Sequence, residues 1–326
     1  MFKYICCTSG RGYENMVQQK KSAGPEIIMI VIETHLVPEG TERKRFSDYA
    51  CEVIMSIPSR KGIKKAIKRG DFLIDGEKGE TGTWINPGQK IELLADESSL
   101  PKEYELELEV VFEDEHIAAV IKPAGVPVNG NSFRTVENSL PRNIKRSGEP
   151  DALRWPRPVH RLDSPTSGLL LIAKTMNSQV SLGEQFEKKM IRKRYRAVVQ
   201  GKIEKQGRVD LPVDGREALT DYSPVKYVPS LKNQWLTLVD LYPRTGRTHQ
   251  LRRHMAWLDH PVVGDTTYGR EGDVFRGKGL FLSAVELSFI HPATGDEMNI
   301  IIDEPEKFRT YLEREKRRWE KYRRPV

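Results

Sequence analysis

At 326 residues the chain is too long for one small domain and suits about two, with enough apolar content for a sizeable core. Its 53 lysines and arginines exceed 46 aspartates and glutamates, and a pI near 9.1 favours a polyanionic partner, nucleic acid first and an anionic membrane surface second. The composition excludes a membrane-spanning helix, since no apolar run approaches roughly 18 residues, and Cys6, Cys7 and Cys51 have neither metal-ligand nor disulfide spacing.

The first ten residues lack the apolar core of a secretion signal, and the cysteine pattern suits a reducing compartment, so a soluble cytoplasmic protein is expected. Residues 1 to about 25 are polar and irregular, and no element is expected before Met29. From about Arg43 the pattern sharpens, with Tyr49, Val53 and Ile54 at helical spacing. Residues 59–70 then predict a short helix, with Ser59 as N-cap, Ile63, Ala66 and Ile67 as the buried stripe, and Gly70 at its end. Its other face carries Arg60, Lys61, Lys64, Lys65, Lys68 and Arg69. Such a face is ordinarily just solvated. Like charges four residues apart destabilise a helix, however, so six cations without an intervening anion ask for an anionic partner. Residues 72–75, a turn at Gly76 and residues 86–94 predict two short strands. Over residues 43–95 this order resembles an S4 RNA-binding module, departing from it at Arg45-Phe-Ser-Asp-Tyr-Ala50, where that module has an Arg-Leu-Asp start. The resemblance implies RNA contacts from Arg60, Lys64, Lys65 and Lys68, with residues 1–42 as an N-terminal extension.

Residues 96–105, polar and containing Pro101, are expected to be a linker. Residues 106–111 alternate as a strand, and 117–121 predict a buried strand ahead of the bend Lys122-Pro-Ala-Gly-Val-Pro. The stretch 158–174 runs from a polar segment through Asp163-Ser-Pro-Thr-Ser-Gly168 into a short apolar run that reads as a strand buried on both faces. This sets the Asp163 carboxylate at the lip of a sheet beside His160 and Arg161; taken alone, it is an Asx-type turn. Helix is predicted at 179–187 and 248–258, and strand at 192–201, 218–223, 235–241 and 278–290, the last closed by a hairpin at 293–296. Many strands, few helices and hairpin-like links give an α+β domain with a mainly antiparallel or mixed sheet over residues 106–304. Residues 305–326 form one basic helix, with Phe308, Leu312, Glu315, Trp319 and Tyr322 along a line. It either packs on the domain through Trp319 or makes a supplementary RNA contact.

Three separated segments carry a more specific resemblance. Residues 158–174 resemble the His-Arg-Leu-Asp-x-x-Thr-Ser-Gly-Leu-Leu motif of the RluA-type pseudouridine synthases, and Arg194-Tyr-Arg-Ala-Val-Val199 resembles their Tyr-x-Ala strand. Thr245-Gly-Arg-Thr-His-Gln-Leu-Arg-Arg-His254, followed by His260-Pro-Val-Val-Gly-Asp265, resembles their third signature. The resemblance implies an isomerase that converts uridine in structured RNA to pseudouridine without metal or cofactor, in line with a sequence lacking a Gly-rich phosphate loop or a His/Cys cluster.

It makes Asp163 the catalytic residue, whether as nucleophile towards C1′ or C6 or as base at C2′, and assigns Arg252 as the cation that keeps it ionised. Tyr195 would stack on the uracil and relay the final proton, and Arg161 would fill the space left by an extruded base. His160, Lys122 and Arg247 are expected among the RNA-contacting residues; as metal or acid–base groups, His160, His249 and His254 are expected instead to be structural. Large-subunit ribosomal RNA is the expected target, with tRNA the runner-up, and a monomer is expected. The readings from other classes are a non-catalytic RNA-binding assembly factor and a protein held at an anionic membrane surface by its tail helix.

Overall fold

The computed structural model describes residues 4–6, 16–20, 27–54, 57, 60–96, 103–130, 132–270 and 279–323, and the chain divides into two compact units, Met1–Lys102 and Glu103–Val326. Among the described residues, no helix is long and apolar enough to cross a membrane.

In the first unit, β1 (Tyr4–Cys6), β2 (Met16–Lys20) and β3 (Ile27–Leu36) precede helices α1 (Phe46–Val53) and α2 (Arg60–Arg69). Strands β4 (Phe72–Ile74), β5 (Glu77–Lys78) and β6 (Lys90–Asp96) complete an antiparallel sheet in the order β1-β2-β3-β6-β4-β5. Two strands therefore occupy a region expected to hold none. Backbone pairing sets them, Gln18 lying opposite Met29 across β2 and β3, and such pairing leaves no mark on polar residues. Strand β3 lies ahead of residue 43, yet it sits in the middle of this sheet. In α2, Ile63, Ala66 and Ile67 are buried against Phe46, Phe72 and Ile91, while all six cations of the other face are exposed. Gly70, at φ +84°, closes the helix by donating to the Ala66 and Ile67 carbonyls. The expected cap, Ser59, lies outside the described residues.

The second unit opens with β7 (Glu109–Glu113) and β8 (Ile117–Lys122), then α3 (Val136–Asn143), β9 (Ala152–Pro158), β10 (Ser167–Thr175) and α4 (Met176–Glu187). Strands β11 (Arg192–Gln200), β12 (Gly207–Asp210), β13 (Leu219–Ser230) and β14 (Gln234–Pro243) follow, and then α5 (Gln250–Trp257), β15 (Leu282–Ile290), β16 (Glu297–Ile301) and α6 (Glu306–Tyr322). The fold is α+β: one sheet in the order β12-β13-β14-β11-β15-β10-β8-β7, with β16 on β15 and β9 on β10. Its named strand pairs are antiparallel except β10 with β15. The expected first strand starts three residues late, because Leu108 N–H donates to the Asn143 side chain instead of to β8. Helix α6 is anchored by Phe308, Tyr311 and Leu312, whereas Trp319, the expected anchor, is only half-buried.

One register decides where the site forms. Leu169 to Ala173 of β10 are fully buried, and β10 and β15 approach so closely at Gly168 that an added Cβ would lie 2.1 Å from the Ala284 carbonyl oxygen. Only glycine fits there, and its φ of +110° suits no other residue. Ala284 is also the partner of Tyr195 on the other side of β15. The end of the Asp163 loop and the middle of β11 are thereby held level, one strand apart.

Candidate active site

Asp163 owes its position to the loop that feeds β10. Its carbonyl accepts from Thr166 N–H at 3.0 Å, and the Ser164 carbonyl accepts from Gly125 N–H at 2.7 Å. The Ser164 oxygen also accepts from Lys122 Nζ at 3.0 Å, while the same ammonium donates to the Pro123 and Val126 carbonyls at 2.8 and 2.6 Å. Lys122 is wholly buried, and burial pulls its pKa down to about 8 against the opposing influence of the Asp163 charge. The expectation of an RNA contact at Lys122 is therefore corrected. A cation with its three donors spent on backbone oxygens pins two loops together and has no donor left for RNA.

Arg252 arrives on the first turn of α5. Gln250 locks the approach: its amide oxygen accepts from Thr245 Oγ1 and Arg247 N–H, and its amide nitrogen donates to the Leu219 carbonyl. Arg252 is 4% exposed and donates through Nε and Nη2 to the two oxygens of Asp265, both at 2.7 Å, leaving Nη1 at 3.9 Å from Asp163 Oδ2. Burial is the largest influence on both and disfavours each charge, but the mutual hydrogen bonds, the charge attraction and, for Asp265, the Tyr268 and Thr267 N–H groups together exceed it, so the arginine pKa is raised and the aspartate pKa lowered. At an effective dielectric near 20, unit charges attract by about 6 kcal/mol at 2.7 Å and about 4 kcal/mol at 3.9 Å. Arg252 thus stays docked on Asp265 and faces Asp163 without capping it.

The other oxygen of Asp163, Oδ1, lies 3.9 Å from His249 Nε2. His249 sits in the left-handed region at φ 54°, and its Nδ1 is 3.1 Å from the hydroxyl of Tyr268. The Tyr268 ring in turn lies 5.1 Å from the Arg252 guanidinium. Reading the sequence did not single out Asp265 or Tyr268 as site residues and set His249 aside as structural. For Asp265 the available signals were its place at the end of the third signature and an arginine on a nearby helix, which needs a carboxylate once buried.

Asp163, His249 and Arg252 line a cavity of about 730 Å³, within the range of small-ligand sites, while Asp265 and Tyr268 lie behind its wall. Asp163, Tyr195 and Arg252 all face it, as do Arg161 and Arg247. Arg161 is exposed, and Arg247 Nε donates to the Glu217 carbonyl at 3.0 Å. Burial, and then the Asp163 charge, raise the Tyr195 pKa, so the phenol keeps its proton. His160 also lines the cavity, but its Nε2 accepts from Leu171 N–H at 3.0 Å and its ring stacks on Phe186 with centroids 4.8 Å apart. Burial, and then the Lys193 charge, push its pKa down to about 3. His160 is therefore a neutral part of the cavity wall, with its Nε2 already taken by the Leu171 N–H. Arg60, Lys64, Lys65 and Lys68 all belong to the first unit. Among the described residues, no three His, Cys, Asp or Glu side chains converge as a metal-ligand set.

A family model described as RNA pseudouridylate synthase matches residues 116–257, which include Asp163, Tyr195 and Arg252. The chain is 30% identical over 306 residues to the ribosomal large subunit pseudouridine synthase D of Xanthomonas campestris pv. campestris, covering 83% of this chain and 88% of the relative. It is 35% identical over 221 residues to the tRNA pseudouridine synthase C of Vibrio parahaemolyticus, covering 59% of this chain and 89% of that one. Among solved structures, human RNA pseudouridylate synthase domain containing 1 superposes with a TM-score of 0.51 at 26% identity, over 61% of this chain and 84% of its own. With Asp163, Tyr195 and Arg252 on one cavity and relatives matched along nearly their whole length, the chain belongs to the RNA pseudouridylate synthase family and is an RNA pseudouridine synthase.

Proposed function

We propose that this enzyme converts one or more uridines of large-subunit ribosomal RNA to pseudouridine, with Asp163 as the catalytic carboxylate. The observation that carries the reading is the convergence of Asp163, Tyr195 and Arg252 on one cavity from segments far apart in sequence, with Arg252 3.9 Å from the carboxylate. In the net reaction the C1′–N1 bond breaks, a C1′–C5 bond forms, and the proton displaced from C5 is balanced by one gained at N1. Nothing is oxidised or reduced. Asp163 acts as nucleophile at C1′ or C6 or as base at C2′, and on each route the Arg252 guanidinium stands 3.9 Å from its Oδ2. Tyr195, a protonated phenol on the cavity wall, stacks on the uracil and passes on the C5 proton. The uridine must leave its stack to reach these groups, and exposed Arg161 occupies the gap.

The exposed cations of α2 support an S4-like RNA-docking role for the first unit, through Arg60, Lys64, Lys65 and Lys68. Ribosomal RNA is favoured because the ribosomal relative aligns over 83% of the chain and the tRNA relative over 59%. The enzyme is taken to work as a cytoplasmic monomer. The test is a pseudouridine map of all stable RNAs from a strain lacking the gene, complemented with wild-type protein or with Asp163→Asn. Wild type should restore the missing sites in large-subunit RNA, and Asp163→Asn should restore none while binding RNA nearly as tightly. Restoration in tRNA alone would replace the ribosomal assignment, and substantial turnover by the Asn variant would refute the role of Asp163.

A further inference from the structure

Strand β11 opens with Arg192-Lys-Arg-Tyr-Arg196, four cations in five residues. Arg192 pairs with Glu297, Arg194 with Glu286, and Arg196 with both Asp240 and Glu304. Lys193 has no carboxylate within 4.0 Å among the described residues. Residues 193 and 195 share one face of the strand and both line the cavity, which the exposed Arg192 reaches from the strand's first position. The other lysine and arginines facing the cavity are mostly engaged: Lys189 pairs with Glu217, Arg244 with Asp221 and Arg252 with Asp265.

Lys193 is half-buried, with its ammonium 5.8 Å from the centre of the Phe186 ring, which itself lines the cavity. Burial lowers its pKa, and no acidic neighbour offsets the effect. Its charge reaches His160, but that ring is neutral and already accepts the Leu171 N–H. A partly desolvated ammonium beside a cavity, next to an imidazole that cannot serve as its anion, is a binding position waiting for an anion from outside.

We propose that Lys193 seats a phosphodiester flanking the target uridine, as a point charge two residues before Tyr195. The proposal rests on reading the cavity as the uridine site, because the anion that RNA carries into it is the phosphate of its own backbone. Lysine suits this role, since its single charged head tolerates the range of phosphate positions that an extruded nucleotide adopts, where a bidentate fork would fix one geometry.

The test uses the whole enzyme and total RNA from the deletion strain, scored at the uridine that wild type converts. Single-turnover rates against enzyme concentration separate the apparent Kd from the maximal rate, and a salt series gives the slope of log Kd. Lys193→Met, which keeps the stem against Phe186, should raise Kd about tenfold and flatten the salt slope by about 0.7 to 0.9, the contribution of one phosphate. The maximal rate should stay within about twofold of wild type, and Lys193→Arg should recover most of the affinity. An unchanged Kd and slope, a raised Kd with unchanged slope, or a loss confined to the maximal rate would each overturn the proposal. If Lys193→Met melts early, Lys193→Gln and the Arg variant give the same comparison. Should wild type convert no uridine in this RNA, the reading of the cavity itself fails, which is a different result from an indifferent lysine.

Discussion

Asp265 never faces the cavity, yet it should control the chemistry. Its Oδ1 accepts from Arg252 Nη2 and from the Thr267 and Tyr268 N–H groups, at 2.7 to 3.0 Å, and among the described residues its Oδ2 accepts only from Arg252 Nε at 2.7 Å. In Asp265→Asn the three donors around Oδ1 hold the amide oxygen in that place. The new NH2 then points at Arg252 Nε–H, donor against donor, and the pair loses a hydrogen bond and its charge. Breaking a buried pair from one side costs about 3 to 5 kcal/mol; since three bonds survive, about 3 kcal/mol is expected. For a domain of this size that is a melting shift of roughly 6 to 12 °C.

Arg252 then has one anion left and should move onto Asp163, closing a 3.9 Å gap into a direct salt bridge that occupies an oxygen the reaction needs. A displacement on the order of 1 Å can cost about a hundredfold in rate. The assay is single-turnover pseudouridine formation beside thermal melting and RNA binding. The expected pattern is a rate down by about two decades, lower melting and a Kd within about threefold. If Asp265→Asn turns over at the wild-type rate, the idea that Asp265 keeps Arg252 off Asp163 is wrong.

Two further outcomes follow from the same geometry. Tyr268→Phe keeps a ring 5.1 Å from Arg252 but removes the hydroxyl facing His249 Nδ1, so the rate should fall by several-fold with melting within about 1 kcal/mol of wild type; an equal loss of rate and stability would mean that Tyr268 is only core packing. Lys122 should give the enzyme an alkaline limb. Its folded pKa of about 8 lies below the 10.5 of a free lysine, so between those values the unfolded chain binds more protons and this group makes the fold more stable as pH rises. Loss of the proton nevertheless leaves two donors for three carbonyls, and the turnover rate should drop through pH 8 as the Asp163 loop loosens. Lys122→Met should be slow throughout without that limb, and a limb persisting in the variant would refute the assignment.

The parts of the site that lay in local strings could be read from sequence. A carboxylate between a polar segment and a buried strand, a tyrosine on a basic strand and an arginine on a helix are each visible within a dozen residues. Their partners were not, because the contacts of Asp265 and Tyr268 exist only once the segment after α5 folds back over it. Lys122 and His160 show the complementary gap. Their charge or polarity is legible, whereas the carbonyls and the N–H that consume it come from other strands and loops, Val126 and Ser164 for the lysine and Leu171 for the histidine. In the sheets, β9 passed unnoticed because Pro156 and Pro158 argue against a strand; it pairs only with β10, and proline is tolerated on such an edge. Strands β1 and β2 escaped because their pairing is written in backbone geometry, to which Met16-Val-Gln-Gln-Lys20 gives no clue.

Ala284 touches no reacting group, but it is the shared ruler of the cavity, since Gly168 and Tyr195 are both measured from it. The anchor of the Asp163 loop and the phenol are thus held by hydrogen-bonded strand spacing, independent of the other loops that ring the opening. Those loops are free to be lengthened, shortened or recharged for a different RNA without retuning the reaction, while any change that slides β15 disturbs both arms at once.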